Sequence, residues 1–308
     1  MKLTRRYAAL VFAFLITIAT CHAQTQAVAP APVKAKRFVM WKASSPTTTV
    51  YLMGSIHVGD KSLYPLPEAV ESAFAAARVL AVEINVKNVE QSKAVKLVQQ
   101  YGMYSGEDSL LKHIPKETAD ALASFCEKNG FPMMAAEKMK PWLAAFTVIV
   151  FTVQKAGQDP MLGIDRHFLD EVKAPQRIEE FETAEYQISI FASATDEEQL
   201  ELLSEALKKA PQSQERLKQL KDAYMGGDPE AISKLVREEE TGPKSLRKKL
   251  IDDRNVAMTE KVDTYLKGKE PCFVVVGAAH IVGDKGIAKL LQDKGYKVEQ
   301  ITAEAKQP

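Results

Sequence analysis

"PCFVVVGAAH", residues 271–280, is the stretch on which the reading of the fold turns. Nothing from Cys272 to Ala279 is polar. An unbroken apolar run of this length reads as a strand buried on both faces. It continues as "GAAHIVGD" (277–284), and the same short phrase stands far upstream as "GSIHVGD" (54–60). The upstream copy also follows a β-rich run, residues 47–53. Each end of the chain thus delivers Gly-x-x-His from a strand.

Working outward, residues 37–41 and 47–53 flank Ser44-Ser45-Pro46 and suggest a hairpin. Pro65-Leu66-Pro67 opens a helix through about Ala77, with Glu68 and Glu71 in its first turns. "VLAVEI" (79–84) is a short buried strand with an acid inside it. From residue 89 to 266 apolar residues recur at helical spacing, and a brief β-like piece at 176–181 interrupts them. Residues 197–221 and 245–269 read as charged amphipathic helices. A helix at 286–294 and the strand "YKVEQI" close the chain. The fold class is α/β (mixed α+β): a central mixed β-sheet built from both chain ends, with a long helical insertion covering the site.

Lys2, Arg5 and Arg6 precede an uncharged apolar run at 8–20 and a small-x-small site before Gln24. Residues 1–23 read as a secretory signal peptide, too short to span a membrane. Lipidation at Cys21 is the lesser reading, because Thr20 suits it poorly. The protein is therefore expected to be exported, periplasmic or extracellular. Residues 24–36 read as a flexible linker and 37–304 as a single domain. Removing three positive charges lowers the formal net charge from +1 to −2, which is no footprint for nucleic acid. No later stretch reaches transmembrane length. Cys126 and Cys272 are expected as buried thiols, with a disulfide as the alternative that export permits.

His57, Glu83 and His280 each follow a predicted strand. Ligands collect at the carboxyl ends of strands in open α/β sheets. Parallel neighbours would bring the three side chains within about 8 Å, around one pocket. Gly54 and Gly277 are expected where a side chain would clash. Two imidazoles and a carboxylate suit a divalent metal (zinc, manganese or cobalt) that polarises a carbonyl or a water. They also suit Glu83 acting alone as a general base, its pKa raised by burial. A histidine at a strand end equally has a purely structural use, as a hydrogen-bonded residue. His113 is expected at the surface. Asp165, in "GIDRHFLDE", reads as a helix cap or as support for a ligand histidine. Arg254, beside Asn255, reads as a surface partner of Asp252 or Asp253, or as an arginine aimed into the pocket. In the pocket reading its removal is expected to cut activity while shifting the melting temperature little.

The paired phrases, the acid of "AVEINV" and the segments "GIDRHFLDEV", "FETAEYQ" and "DDRN" resemble the TraB/PrgY/GumN family, which includes the Tiki proteases. The resemblance runs from about Phe38 to Ile301. It implies an α/β fold around a split active site and, for the Tiki branch, metal-dependent peptide hydrolysis with manganese or cobalt. His57, Glu83 and His280 become the reactive centre and metal ligands, and Asp165, Arg254 and Asn255 line or support the site. The wider group also resembles erythromycin esterases and ChaN-like haem proteins. That permits two alternatives: a periplasmic haem, metal or peptide binder, or a metal-independent esterase-like hydrolase. The implied partner is a peptide or small-molecule substrate.

Overall fold

The computed structural model describes residues 38–238 and 243–301. The signal peptide and linker readings lie outside them. Six strands form one mixed sheet in the order β4-β3-β5-β2-β1-β6. They are β1 Met40–Ser44, β2 Thr49–Ser55, β3 Val79–Val82, β4 Arg177–Glu180, β5 Cys272–Gly277 and β6 Lys297–Gln300. β5 runs parallel to β2 on one side and to β3 on the other, and β3 runs parallel to β4. β1 is antiparallel to both β2 and β6. The late strand is thus inserted between two early ones, and every residue of β5 is buried.

Several boundaries differ from the sequence reading. The first strand lies three residues later than expected, because the Ser45 hydroxyl accepts from the Thr47 and Thr48 N–H groups and turns the chain there. The helix after the prolines starts at Glu68, with Pro67 in extended conformation as its N-cap residue. β3 ends at Val82, before the acid. The expected helix at 197–221 is two, Asp196–Lys209 and Ser213–Gly226, joined by a tight turn through Pro211. Cys126 and Cys272 are buried free thiols.

Two buried clusters carry the molecule. One surrounds the sheet and includes Leu52, Leu80, Phe168 and Phe273. The other lies within the helical insertion, around Leu122, Trp142, Leu143 and Leu203. Among the described residues no helix is long and apolar enough to cross a membrane.

Candidate active site

The sheet register aligns Ser55 with Gly277 and Val82 with Val275. His57, Glu83 and His280 therefore leave the same sheet edge. His57 Nε2 lies 3.6 Å from Glu83 Oε1, and His280 Nε2 lies 3.9 Å from the same oxygen. The expected convergence is present, and β5 makes it by standing between the other two strands.

The repeated phrase is not one device used twice. His57 sits on an irregular bend after β2, whereas His280 sits in a single helical turn, Ala278–Ile281, and not at a strand end. The two glycines also differ. A Cβ on Gly54 would lie 2.7 Å from Val39 Cγ1 and 3.1 Å from Ala278, so this glycine lets the two phrases pack together. A Cβ on Gly277 would lie 3.1 Å from His57 Nε2, 3.4 Å from Glu83 Oε1 and 3.6 Å from His280 Cδ2. Gly277 keeps open the space between the three side chains.

Each histidine is held by its far nitrogen. Asn255 Nδ2 donates to the Lys285 carbonyl at 2.8 Å, so Asn255 Oδ1 faces His280 Nδ1, at 2.6 Å. His280 Nδ1 then carries the proton and its Nε2 lone pair faces Glu83. Asp165 Oδ1 lies 3.2 Å from His57 Nδ1 and accepts from the Ser55 hydroxyl at 2.7 Å. The capping reading of Asp165 gives way here. Gly163 is the cap of the helix Ile164–Glu171, and the Asp165 carboxylate turns toward the site.

Arg254 is buried, at 7 % exposure, and the surface-pair reading is overturned. Asp252 pairs with Lys285 and Asp253 with Lys248. Arg254 Nη2 donates to Glu83 Oε2 at 2.5 Å and to Glu182 Oε2 at 2.8 Å, while Nε reaches both Glu182 oxygens. Its Nη1 donates to the Leu250 carbonyl inside a π-turn, Lys248–Asp252, that precedes the helix Asp253–Lys267. Such turns re-phase a helix. Here the consecutive residues Arg254 and Asn255 serve two different partners.

Burial alone would raise the Glu83 pKa, as expected from sequence. The neighbouring imidazoles, the Arg254 guanidinium and the Gly277 N–H outweigh it and hold the carboxyl well below its usual range. Both Glu83 oxygens already accept hydrogen bonds, from Gly277 N–H, Arg254 and Gln187. This disfavours Glu83 as a lone general base. The His57 ring is half-exposed, and the side that faces the site is desolvated, which opposes its charge; Asp165 and Glu83 together nevertheless raise its pKa to about 9. Burial lowers His280 to about 4, against the attraction of Glu83.

Among the described residues, no three His, Cys, Asp or Glu side chains already stand as a ligand set for a metal ion. The nearest approach to one is His57, Glu83 and His280, and its chemistry fits a divalent cation. Two Nε2 atoms and one carboxylate oxygen surround the space beside Gly277, and each imidazole is oriented from behind by an oxygen acceptor. Glu83, Glu182 and Asp165 carry three negative charges against the one positive charge of Arg254. With His280 neutral and His57 protonated, as their pKa values have them near neutral pH, the cluster stands at −1, and at −2 once His57 gives up its proton.

A cavity of about 220 Å³ opens beside these groups, bordered by His57, Glu83, Asp165 and Gln187 and by apolar residues including Ile84, Val86 and Phe146. A larger one, about 460 Å³, lies between helices of the insertion and contains none of the site residues. His113 is exposed and pairs with Asp108, as a surface residue would. His167 pairs with Glu71.

The fold and the site describe an α/β protein with a His–Glu–His cradle at the carboxyl ends of parallel strands. The chain belongs to the TraB/PrgY/gumN family, which it matches over residues 39–300. It is 24% identical over 243 residues to the uncharacterized protein YbaP of Escherichia coli K12, covering 79% of this chain and 87% of that one. An uncharacterized protein of Treponema pallidum is 21% identical over 292 residues, covering 90% and 87%. No solved structure matches the chain.

Sequence reasoning missed Glu182, Gln187 and Ser55. Glu182 had a readable signal: it follows β4 as Glu83 follows β3, an acid closing a short strand. The Glu182 N–H donates to the Glu83 carbonyl at 2.9 Å, which continues the ladder and sets the two acids side by side.

Proposed function

We propose that this protein is an exported hydrolase of peptide-like substrates, in which His57, Glu83 and His280 hold a divalent cation: manganese, cobalt or zinc. The observation that carries this reading is the cradle itself. Two imidazole Nε2 atoms and a carboxylate oxygen face one small space, in a cluster of net charge −1 that becomes −2 when a cation displaces the His57 proton. A cation bound there supplies Lewis acidity toward a carbonyl or a water. The surrounding residues supply position. Arg254 and Gln187 fix Glu83, Asn255 fixes the His280 tautomer, and Asp165 orients His57 with the help of Ser55. His57 is the half-exposed member, on the side from which substrate arrives.

The test is metal analysis and calorimetric titration of purified protein with each cation, beside a peptide hydrolysis screen. Binding and cleavage should both be lost in His57→Ala and His280→Ala variants that still fold. Cleavage that survives exhaustive chelation, or the absence of measurable binding of every cation tried, would sink the reading. Export is tested separately, by the mass of the secreted chain, which should begin at Gln24.

A further inference from the structure

The groups described so far act on a backbone carbonyl and say nothing about which residue flanks it. Beside them lies the 220 Å³ cavity. That is below the range of about 300–1,000 Å³ typical of sites that enclose a whole small molecule. It suits one side chain. Its lining is mixed. His57, Glu83, Asp165, Arg166 and Gln187 are its polar part, and Ile84, Val86 and Phe146 belong to the apolar part. We propose that this cavity is a specificity pocket for a single apolar side chain of the peptide substrate, adjacent to the bond cleaved, with Phe146 as the specificity-determining residue. This rests on the hydrolase reading above and adds the substrate class to it.

The pocket is built before any substrate arrives. Ile84 and Val86 flank Asn85, which is buried at 4 % exposure and whose N–H donates to Glu180 Oε1 at 2.6 Å. Lys87 ties the same loop to the Leu169 carbonyl and to Asp170. Phe146 lines the pocket from a different element, the helix Pro141–Lys155. Its ring is fixed edge-on against Phe191, with centroids 4.6 Å apart. A substrate side chain therefore meets a preformed apolar wall, and burying a Leu or Phe side chain in one favours binding by about 10- to 100-fold over a small residue.

The experiment uses the full-length protein and acetylated pentapeptide amides that differ only at the central residue: Gly, Ala, Leu, Phe, Trp, Asp or Lys. Binding is read by methyl NMR on Ile84 and Val86, and cleavage by mass spectrometry. Leu and Phe peptides should bind at least tenfold tighter than Gly, Asp or Lys peptides and shift those methyls. In Phe146→Ala the preference should move toward Trp. In Val86→Lys it should move toward Asp. Selective binding without cleavage under any metal supports the pocket while sinking the hydrolase reading. Cleavage with no apolar preference, or a preference unchanged in both variants, overturns the pocket and leaves the hydrolase reading standing.

Discussion

The core around the sheet draws on residues from Phe38 to Val298, and the core of the helical insertion on residues from Ala94 to Leu246. Both are densely apolar, but they treat polar groups differently. Buried polar residues of the insertion are neutral: Thr118, Thr147 and Gln199. Two of them bond locally, Thr147 to the Leu143 carbonyl and Gln199 Nε2 to the Ala194 carbonyl, which leaves Gln199 Oε1 buried without a hydrogen bond. The sheet half instead buries Arg254, Asp263 and His280. Its bonds join Glu83 to residues 171 and 194 positions away. Ionised groups are expensive to bury and stable only when fully paired. The insertion is built to fold and cover; the sheet edge is built to hold charge in place.

The comparison breaks most visibly at Arg254. Arg254→Ala should destabilise the protein by about 3–5 kcal/mol, because Glu83 and Glu182 are left buried together without their cation. This reverses the small effect expected when the residue was read only from sequence. Denaturant unfolding measures it. Adding Glu83→Gln and Glu182→Gln to Arg254→Met should recover most of the loss, and failure to do so would mean that packing, not charge, holds this corner.

Leu143→Ala, in the insertion, should cost about 2–5 kcal/mol through a cavity. Cation affinity per folded molecule should stay unchanged. A parallel fall in affinity would show that the two halves are not separable in function. Gly54→Ala should cost less, about 1–3 kcal/mol, from overpacking against Val39 and the Ala278 backbone. Gly277→Ala should be the mirror case. Its backbone, at φ −48° and ψ 136°, accepts alanine without strain, but the new methyl fills the cradle. Cation binding should drop at least tenfold while the melting temperature moves by only a few degrees.

The chelated protein should be most stable near pH 6.5 and lose stability both above and below it. His57 has a folded pKa of about 9, above its unfolded value of 6.5. Its contribution is complete below 6.5 and is lost as pH rises through 9. His280 has a folded pKa of about 4, below 6.5. Its contribution is complete above 6.5 and is lost as pH falls toward 4. The depressed carboxyls of Glu83 and Asp165 add to the loss on the acid side. Unfolding curves in chelator should show both limbs, and His280→Gln should flatten the acid one. At the small end, Lys116→Ala breaks an exposed pair with Asp120 on an insertion helix and should change stability by under about 0.5 kcal/mol.

Much of the site was legible in the residues. An apolar run ending in Gly-x-x-His, twice, named His57 and His280, and an acid closing "VLAVEI" named Glu83. Asp165 and Arg254 were legible only as alternatives, since a helix-start acid and a helix arginine each have an ordinary local use. Deciding between them needed Ser55 and Glu182, which lie 110 and 72 residues away from the partners they hold. The direction of the Glu83 pKa was misjudged for the same reason. Burial could be read from the run, whereas the opposing Arg254 could not.

The sequence by itself determined which segments are strands, that β5 is buried on both faces, and that both ends of the chain contribute to one sheet. Those properties follow from local apolar patterning and from the need to cover it. The tertiary structure decided strand order and register, and with them everything that depends on long-range distance: the single Glu83 oxygen shared by two imidazoles, the Glu83–Arg254–Glu182 cluster, and the different work of Gly54 and Gly277. Electrostatic and steric effects act through space over a few ångströms. A chain specifies them only once distant segments have been brought side by side.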